Sequence, residues 1–352
     1  MQTIQPTTLK VGHFQSIQLD DASVTVHDDL HGSHVITEPA LVELLKSPAL
    51  ARLASVHQHG INGLLGVTPA VTRFEHSVGA FLIVRKAGAA LDEQIAALLH
   101  DISHTVLSHV MDWALSQPGD SFHETHKARY IDMTQLPHIL AKHGFADLKP
   151  LEEHLYPLVE FPAPRLCADR LDYAVRDSVA FEKLPLQDAR DILASIRSYP
   201  AAESPDRFLV SHDPALALQL SRAYLASDRD VWSNPAHVDV SNKIGQLIGD
   251  LVRSGKIAES ILWTVSDREF WQILHDAADA QGRELIKEVE SKKLPPEDGL
   301  GLPVAAKVRT LDPHVYDTVQ RRPVPLTEIN NDWAEELQAY IASRQALRVR
   351  EE

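Results

Sequence analysis

The feature that most limits what this chain can fold into is a row of polar residues inside helical text. Asp169, Tyr173 and Asp177 stand four residues apart in CADRLDYAVRD (167–177), so a helix there carries all three along one face. Two acids and a phenol make a poor core face. Such a stripe is stable against a metal or a polar ligand. Histidine points the same way: the chain has 19, and histidine is the commonest metal ligand and a proton carrier at neutral pH. His100 and Asp101 are adjacent in LLHDISHTVLSH (98–109). Neighbours on a helix diverge by about 100° and do not share a packing face, but at a helix end both can reach one cation. His104 shares the face of His100 only if that helix continues.

The surrounding text is mostly helical. Thr37 with Pro39 opens a segment with Leu41, Leu44 and Leu45 at helical spacing, and a second runs from Pro48 to a stop at Gly60. Further helices are expected over 74–87, 91–101, 105–116, 122–132, 135–143 and 163–180, and a charged one over 329–348. VTVHDD and SHVIT in the first 36 residues, RFLV (207–210) and PVAAKVRTL (303–311) read as strands. The expected fold is all-α, a mainly helical core with small β additions at the N-terminus and in the C-terminal half. Its parts are a β/turn segment (1–36), a catalytic core (37–185) and a helical extension packed on the core (186–352). With aromatics at 6% of the chain, aliphatic side chains must fill its interior.

Composition removes several classes. No apolar run is long enough for a membrane helix, and MQTIQPTTLKVGHF lacks the pattern of a secretory leader. The single cysteine, Cys167, rules out an internal disulfide framework and is expected to be a buried small residue. A cytoplasmic location is the expectation. The net charge of −15 argues against nucleic acid as the main partner. The one basic cluster, KVRTLDP (307–313) with VQRRP (319–323), reads as solvated or subunit-contact surface that could accept phosphate. Trp113, Trp232, Trp263 and Trp271 read as packing residues. Asp172 and Arg176 read as an ordinary i,i+4 pair on the outer face of their helix.

The order His76, then His100-Asp101, then Asp169 is far more specific than any one of its parts. It resembles the pattern His…His-Asp…Asp of the HD superfamily of metal-dependent phosphohydrolases. RFEHSVG, LLHDISHTVLSHVMD and DRLDYAVRD are similar to the dNTP triphosphohydrolase branch, strongly over residues 37–180. The resemblance implies that His76, His100, Asp101 and Asp169 bind one divalent transition metal. Their mixed nitrogen and oxygen donors suit Fe, Mn, Co, Ni or Zn, and magnesium can accompany substrate phosphates. It also implies that Arg73 reaches phosphate oxygens, that His104 and His109 contact phosphate or act as general acid, and that His123 assists leaving-group protonation. His109 can do so only if the chain bends after Asp101. Glu124 is expected to orient His104 or His123, and Arg170 replaces the family lysine as a phosphate ligand.

For the sugar, the resemblance points to Gln58, Tyr173 and Asp177. His59 stands where the family has a leucine beside the 2′ carbon, which puts a preference for deoxyribose in doubt. The family's arginines and Tyr-Gln pair are not evident over 229–246, where Lys243 is the remaining cation. The implied enzyme hydrolyses nucleotide phosphoesters with metal-activated water, (d)NTPs first and nucleoside monophosphates second. Its partner is a small phosphorylated molecule, with self-association into a homo-oligomer left open. The alternatives are a dinuclear-iron HD-fold oxygenase, drawing on His104, His123 and His126, and a nucleotide-binding regulatory protein.

Overall fold

The computed structural model describes residues 7–117, 119–291, 294–304 and 306–348. An antiparallel sheet comes first, in the order β1 (Thr7–Lys10), β2 (Gln15–Leu19), β3 (Val24–Asp28), β4 (Gly32–Ile36). Period-two alternation turns Val24, Val26 and Asp28 to the same buried side. Asp28 thereby becomes a carboxylate pointing into the protein.

The centre is helical. Helix α1 (Arg73–Lys86) starts from a capping box in which the Thr72 hydroxyl accepts from the Glu75 N–H and the Glu75 carboxylate accepts from the Thr72 N–H. Arg73 through Val84 are all buried, so α1 is the innermost rod and others surround it. Helix α2 (Leu91–Leu99) and helix α3 (Ala168–Ala180) both pack on it. Cys167 is the N-cap of α3, its Sγ accepting from the Arg170 N–H, and burial pushes its thiol pKa up. Gly79 lets α1 and α3 approach: a Cβ there would lie 1.9 Å from Asp172 Oδ1 and 2.5 Å from Arg176 Nη2.

The C-terminal half adds a second sheet in the order β5 (Ile196–Tyr199), β6 (Phe208–Ser211), β7 (His314–Asp317), β8 (Arg322–Pro325). Only its β6–β7 pairing is parallel. Helices α4 (Pro235–Arg253) and α5 (Asp267–Ala277) lie against the central bundle. One apolar cluster runs from Val11 in the first segment to Leu311 in the last. The mainly helical fold with small sheets agrees with the sequence reading. No helix of the described residues is long and apolar enough to cross a membrane.

Several local expectations are corrected. None of the described residues of 303–311 lies in a strand, and the next strand begins at His314. Gly60 opens a short helix, Gly60–Leu64, instead of closing one. The helix expected over 105–116 is confined to Val110–Leu115, because Leu107 and Ser108 take φ of 55° and 49°. The largest correction is the face assigned to Asp172 and Arg176. Both are fully buried, because the N-terminal sheet covers that side of α3. Arg176 donates to Asp172 (2.9 and 3.0 Å) and Asp28 (2.9 Å), and reaches Glu75 at 3.4 Å.

Candidate metal centre and substrate pocket

Helix ends and faces carry the four expected ligands together. His76 lies in the second turn of α1, His100 is the C-cap of α2 with Asp101 just beyond, and Asp169 is in the first turn of α3. His76 Nε2 is 3.0 Å from Asp169 Oδ1 and 3.2 Å from His100 Nε2. His100 Nε2 is 3.5 Å from Asp169 Oδ1, and Asp101 is 3.7 Å from each histidine.

The other ring nitrogens show what this cluster is built for. His76 Nδ1 meets Asp172 Oδ2 at 2.9 Å, and His100 Nδ1 meets the Ala97 carbonyl at 2.7 Å. With acceptors at both Nδ1 atoms, each ring can turn its Nε2 lone pair toward one shared cation beside two carboxylates. That arrangement is repulsive unless a cation lies between them. The same excess of negative charge acts on the protons: burial alone would lower the pKa of His76, but Asp169 and Asp172 raise it to about 10. Burial would also raise Asp101, yet the Arg73 guanidinium holds it well below the usual carboxylate range. The residues fit a divalent metal.

A loop with no regular structure follows Asp101 and makes the bend that His109 requires. The Asp267 carboxylate, at the start of α5, accepts from the His57 N–H (2.7 Å), meets His57 Nδ1 (2.8 Å) and accepts from the Leu107 N–H (2.7 Å). Gly60, at φ 51°, brings residues 57–60 against this loop; a Cβ would lie 2.5 Å from the Leu107 carbonyl. His104 and His123 then stack at 3.6 Å between ring centroids, and His109 stands edge-on at 5.1 Å from His104. The rings stack at an interplanar angle of 23° with their edges side by side, and one donor atom each of Asp101, His104 and His123 lies within 4.8 Å of the others. His126 packs on Phe122 and Trp263, apart from this cluster. Of the three histidines named for the dinuclear alternative, His126 is thus not placed with the other two.

Burial, then the charges of Arg73 and His123, holds His104 well below the usual histidine pKa. Burial takes His109 to about 4 despite its contact with Asp112 at 2.9 Å. Both are neutral donors at neutral pH. His123 Nδ1 meets Ser121 Oγ at 2.7 Å, and Glu124 Oε1 is 3.1 Å from its Nε2. Arg73 donates to Asp101 Oδ2 (2.7 Å) and to Ser108 Oγ (3.0 Å).

Not every expected phosphate ligand faces this space. Arg170 Nη1 donates to the carbonyls of Phe161 and Arg165, so it braces the loop that leads into α3. Lys243 pairs with Asp239 at 2.7 Å on the half-exposed face of α4. Glu160, absent from the sequence reading, lies beside Asp169, and burial with that neighbouring charge pushes its carboxyl up to about 8.

On another side of the metal ligands is a second polar space. The Tyr173 ring is 6.3 Å from that of His76, and its hydroxyl meets that of Tyr224 at 2.7 Å. Asp177 Oδ2 accepts from Trp232 Nε1 at 3.1 Å, and His59 Nε2 is 3.4 Å from Asp177 Oδ1. Gln58 Oε1, His59 Nε2, Asp177 Oδ1 and His237 Nδ1 are buried with no hydrogen-bond partner among the described residues. Trp232 thus belongs to the site as well as to the packing. Asp172 and Trp232 take places here that their sequence readings, a solvated ion pair and a packing residue, do not give. The only signal for Asp172 was its place three residues after Asp169.

A family model described as "HD domain" matches residues 73–173. Metal-dependent phosphohydrolase cns2 of Cordyceps militaris is 53% identical over 327 residues, 93% of this chain and 94% of that one. Deoxynucleoside triphosphate triphosphohydrolase SAMHD1 of Danio rerio is 28% identical over 141 residues, 34% of this chain and 22% of that one. A solved phosphohydrolase of Bacteroides thetaiotaomicron superposes with a TM-score of 0.65 at 18% identity, over 87% of this chain and 94% of that chain. This chain belongs to the HD-domain metal-dependent phosphohydrolases. It is a hydrolase whose chemistry depends on a metal.

Proposed function

We propose that the chain hydrolyses the phosphoester of a nucleotide at the centre formed by His76, His100, Asp101 and Asp169. The observation that carries this reading is the pair of opposed Nε2 atoms, 3.2 Å apart, flanked on one side by stacked imidazoles and on another by a pocket of unpartnered polar atoms. A bound divalent metal supplies polarisation of the phosphorus–oxygen bond and a water of lowered pKa.

The protein's own residues do the rest. Asp172 and the Ala97 carbonyl fix the two imidazole tautomers. Arg73 and the neutral edges of His104 and His109 donate to phosphate oxygens. His123, held between Ser121 and Glu124, delivers the proton to the leaving oxygen. Gln58, His59, Tyr173 and Asp177 face the sugar. Arg170 supports Asp169 through its loop instead of touching phosphate.

The phosphate number follows from charge. A triphosphate brings about four negative charges against about two for a monophosphate, each added phosphate contributing about one. Against it stand Arg73, already paired with Asp101, and imidazoles held neutral. A nucleoside monophosphate therefore ranks ahead of the (d)NTPs, reversing the order expected from the sequence resemblance. The printed name of SAMHD1 favours the triphosphate, so one assay must compare both. That assay is phosphate release from ribo- and deoxy-mono-, di- and triphosphates and from p-nitrophenyl phosphate, with Mn, Co, Ni, Fe and Mg. Failure to hydrolyse any nucleotide with any of these metals refutes the reading. So does full activity after chelation.

A further inference from the structure

The sequence lacks the cations and the aromatic pair that its family resemblance would place over 229–246. The fold supplies a cation from much further along the chain. Arg309, in the segment that reads as basic surface, reaches the pocket beside Tyr173. Its guanidinium lies over the Trp232 ring at 5.5 Å, and the Trp232 indole N–H is the one that donates to Asp177. The Arg309 N–H donates to Asp228 Oδ2 at 3.1 Å, which anchors the backbone. The side chain comes no closer than 3.8 Å to Asp228 Oδ1 and makes no hydrogen bond from its guanidinium among the described residues. Its charge is nonetheless felt by Tyr173, Asp228, Tyr224 and Asp177, which offset the burial.

An arginine held over an aromatic face and 3.8 Å from the buried Asp228 carboxylate, with no guanidinium hydrogen bond among the described residues and a quarter of its side chain exposed, is preorganised for a ligand. The four unpartnered buried atoms of Gln58, His59, Asp177 and His237 show that the same space is built for hydrogen-bonding groups. Asp177 continues the stripe that begins at the metal ligand Asp169, and His59 Nε2 lies 3.4 Å from it.

We propose that Arg309 is a substrate-binding residue for the nucleoside end of the substrate, stacking its guanidinium on the nucleobase and donating to the base's acceptor edge. This rests on the nucleotide reading above. Arginine suits the task where lysine does not, because only the planar fork both stacks and donates in pairs.

The test compares the manganese-loaded wild type with Arg309→Met and Arg309→Lys. Each is assayed on nucleoside monophosphates and on p-nitrophenyl phosphate, which has no base or sugar, and each is checked for melting temperature and metal content. The ratio of kcat/KM for the nucleotide to kcat/KM for p-nitrophenyl phosphate should fall about tenfold or more in Arg309→Met, with KM carrying most of the change. Arg309→Lys should recover only part of it. A ratio within about twofold of wild type in the folded methionine variant overturns the proposal. If that variant does not fold, the lysine variant decides by the same criterion. A wild type that cleaves p-nitrophenyl phosphate but no nucleotide overturns the nucleotide reading and this proposal together. A normal nucleotide activity with an unchanged ratio overturns this one alone.

Discussion

Replacing Arg176 with methionine tests whether the buried charge network holds both the fold and the metal centre. Methionine keeps much of the length and removes the charge. It leaves Asp28, Asp172 and Glu75 buried, at sites where Arg176 had stood 2.9, 2.9 and 3.4 Å away. Breaking a buried ion pair costs about 3–5 kcal/mol. One guanidinium serving three carboxylates belongs at the upper end. Unfolding entropy of about 2.1 cal/mol/K per residue gives about 0.7 kcal/mol/K for 352 residues, so about 5 kcal/mol lowers Tm by about 7 °C. The sign with pH is also fixed. Wild-type Asp172 is held well below its ordinary pKa, by Arg176 first against the opposing effect of burial, so its contribution survives until strongly acid pH. In the variant the buried carboxylates left without Arg176 have raised pKa values in the folded state, so their penalty is full above that folded pKa, shrinks as pH falls below it and vanishes below the unfolded value. Thermal melts of the metal-free protein should show a smaller loss at pH 5.5 than at pH 8. Asp172 also holds His76, so metal affinity should fall by about ten- to a hundredfold. A variant that melts within about 1 °C of wild type at pH 8, where 1 kcal/mol corresponds to roughly that shift, would refute the reasoning.

Metal binding to the metal-free protein should release a proton from His76, whose pKa there is about 10. Affinity measured against a competing chelator should rise about tenfold per pH unit between pH 7 and 9; a flat profile contradicts a protonated His76 in the metal-free site. Without metal, protonated His76 stabilises the fold fully below its unfolded pKa, and that contribution is lost as pH rises toward 10. His123→Ala should lower kcat by about a hundredfold with little change in KM or metal content, as expected for a general acid; a rise in KM alone transfers the acid role to His109. His59→Leu should shift substrate choice toward deoxyribonucleotides by up to about tenfold, because a leucine offers a 2′-hydroxyl no partner. A wild type that already rejects ribonucleotides by hundreds-fold shows that His59 does not serve the sugar.

The four metal-ligand candidates were legible because their constraints are local. Metal chemistry fixes the residue types, and helix periodicity puts Asp169 and Tyr173 on one face. The histidine cluster was legible only as a list of residues. Its geometry depends on the left-handed turn at Leu107 and Ser108, which is stabilised by Asp267 from another helix. Arg170 shows the limit of substitution by type, since the position was read correctly as cationic while its partners turned out to be backbone carbonyls.

By itself, the sequence determined the class of chemistry, the mainly helical architecture and the residues able to hold a metal. All of these follow from periodicity and from donor chemistry carried along the chain. Only the tertiary structure decided which faces are buried. An i,i+4 Asp–Arg spacing is the same on a solvated face and beneath a sheet, and Asp172 and Arg176 became interior because β3 and α1 brought Asp28 and Glu75 to them. Arg309 likewise leaves the expected basic surface because Trp232 and Asp228 receive it. The energy of a charge depends on its solvent exposure and its partners, and both are set by residues distant in the sequence.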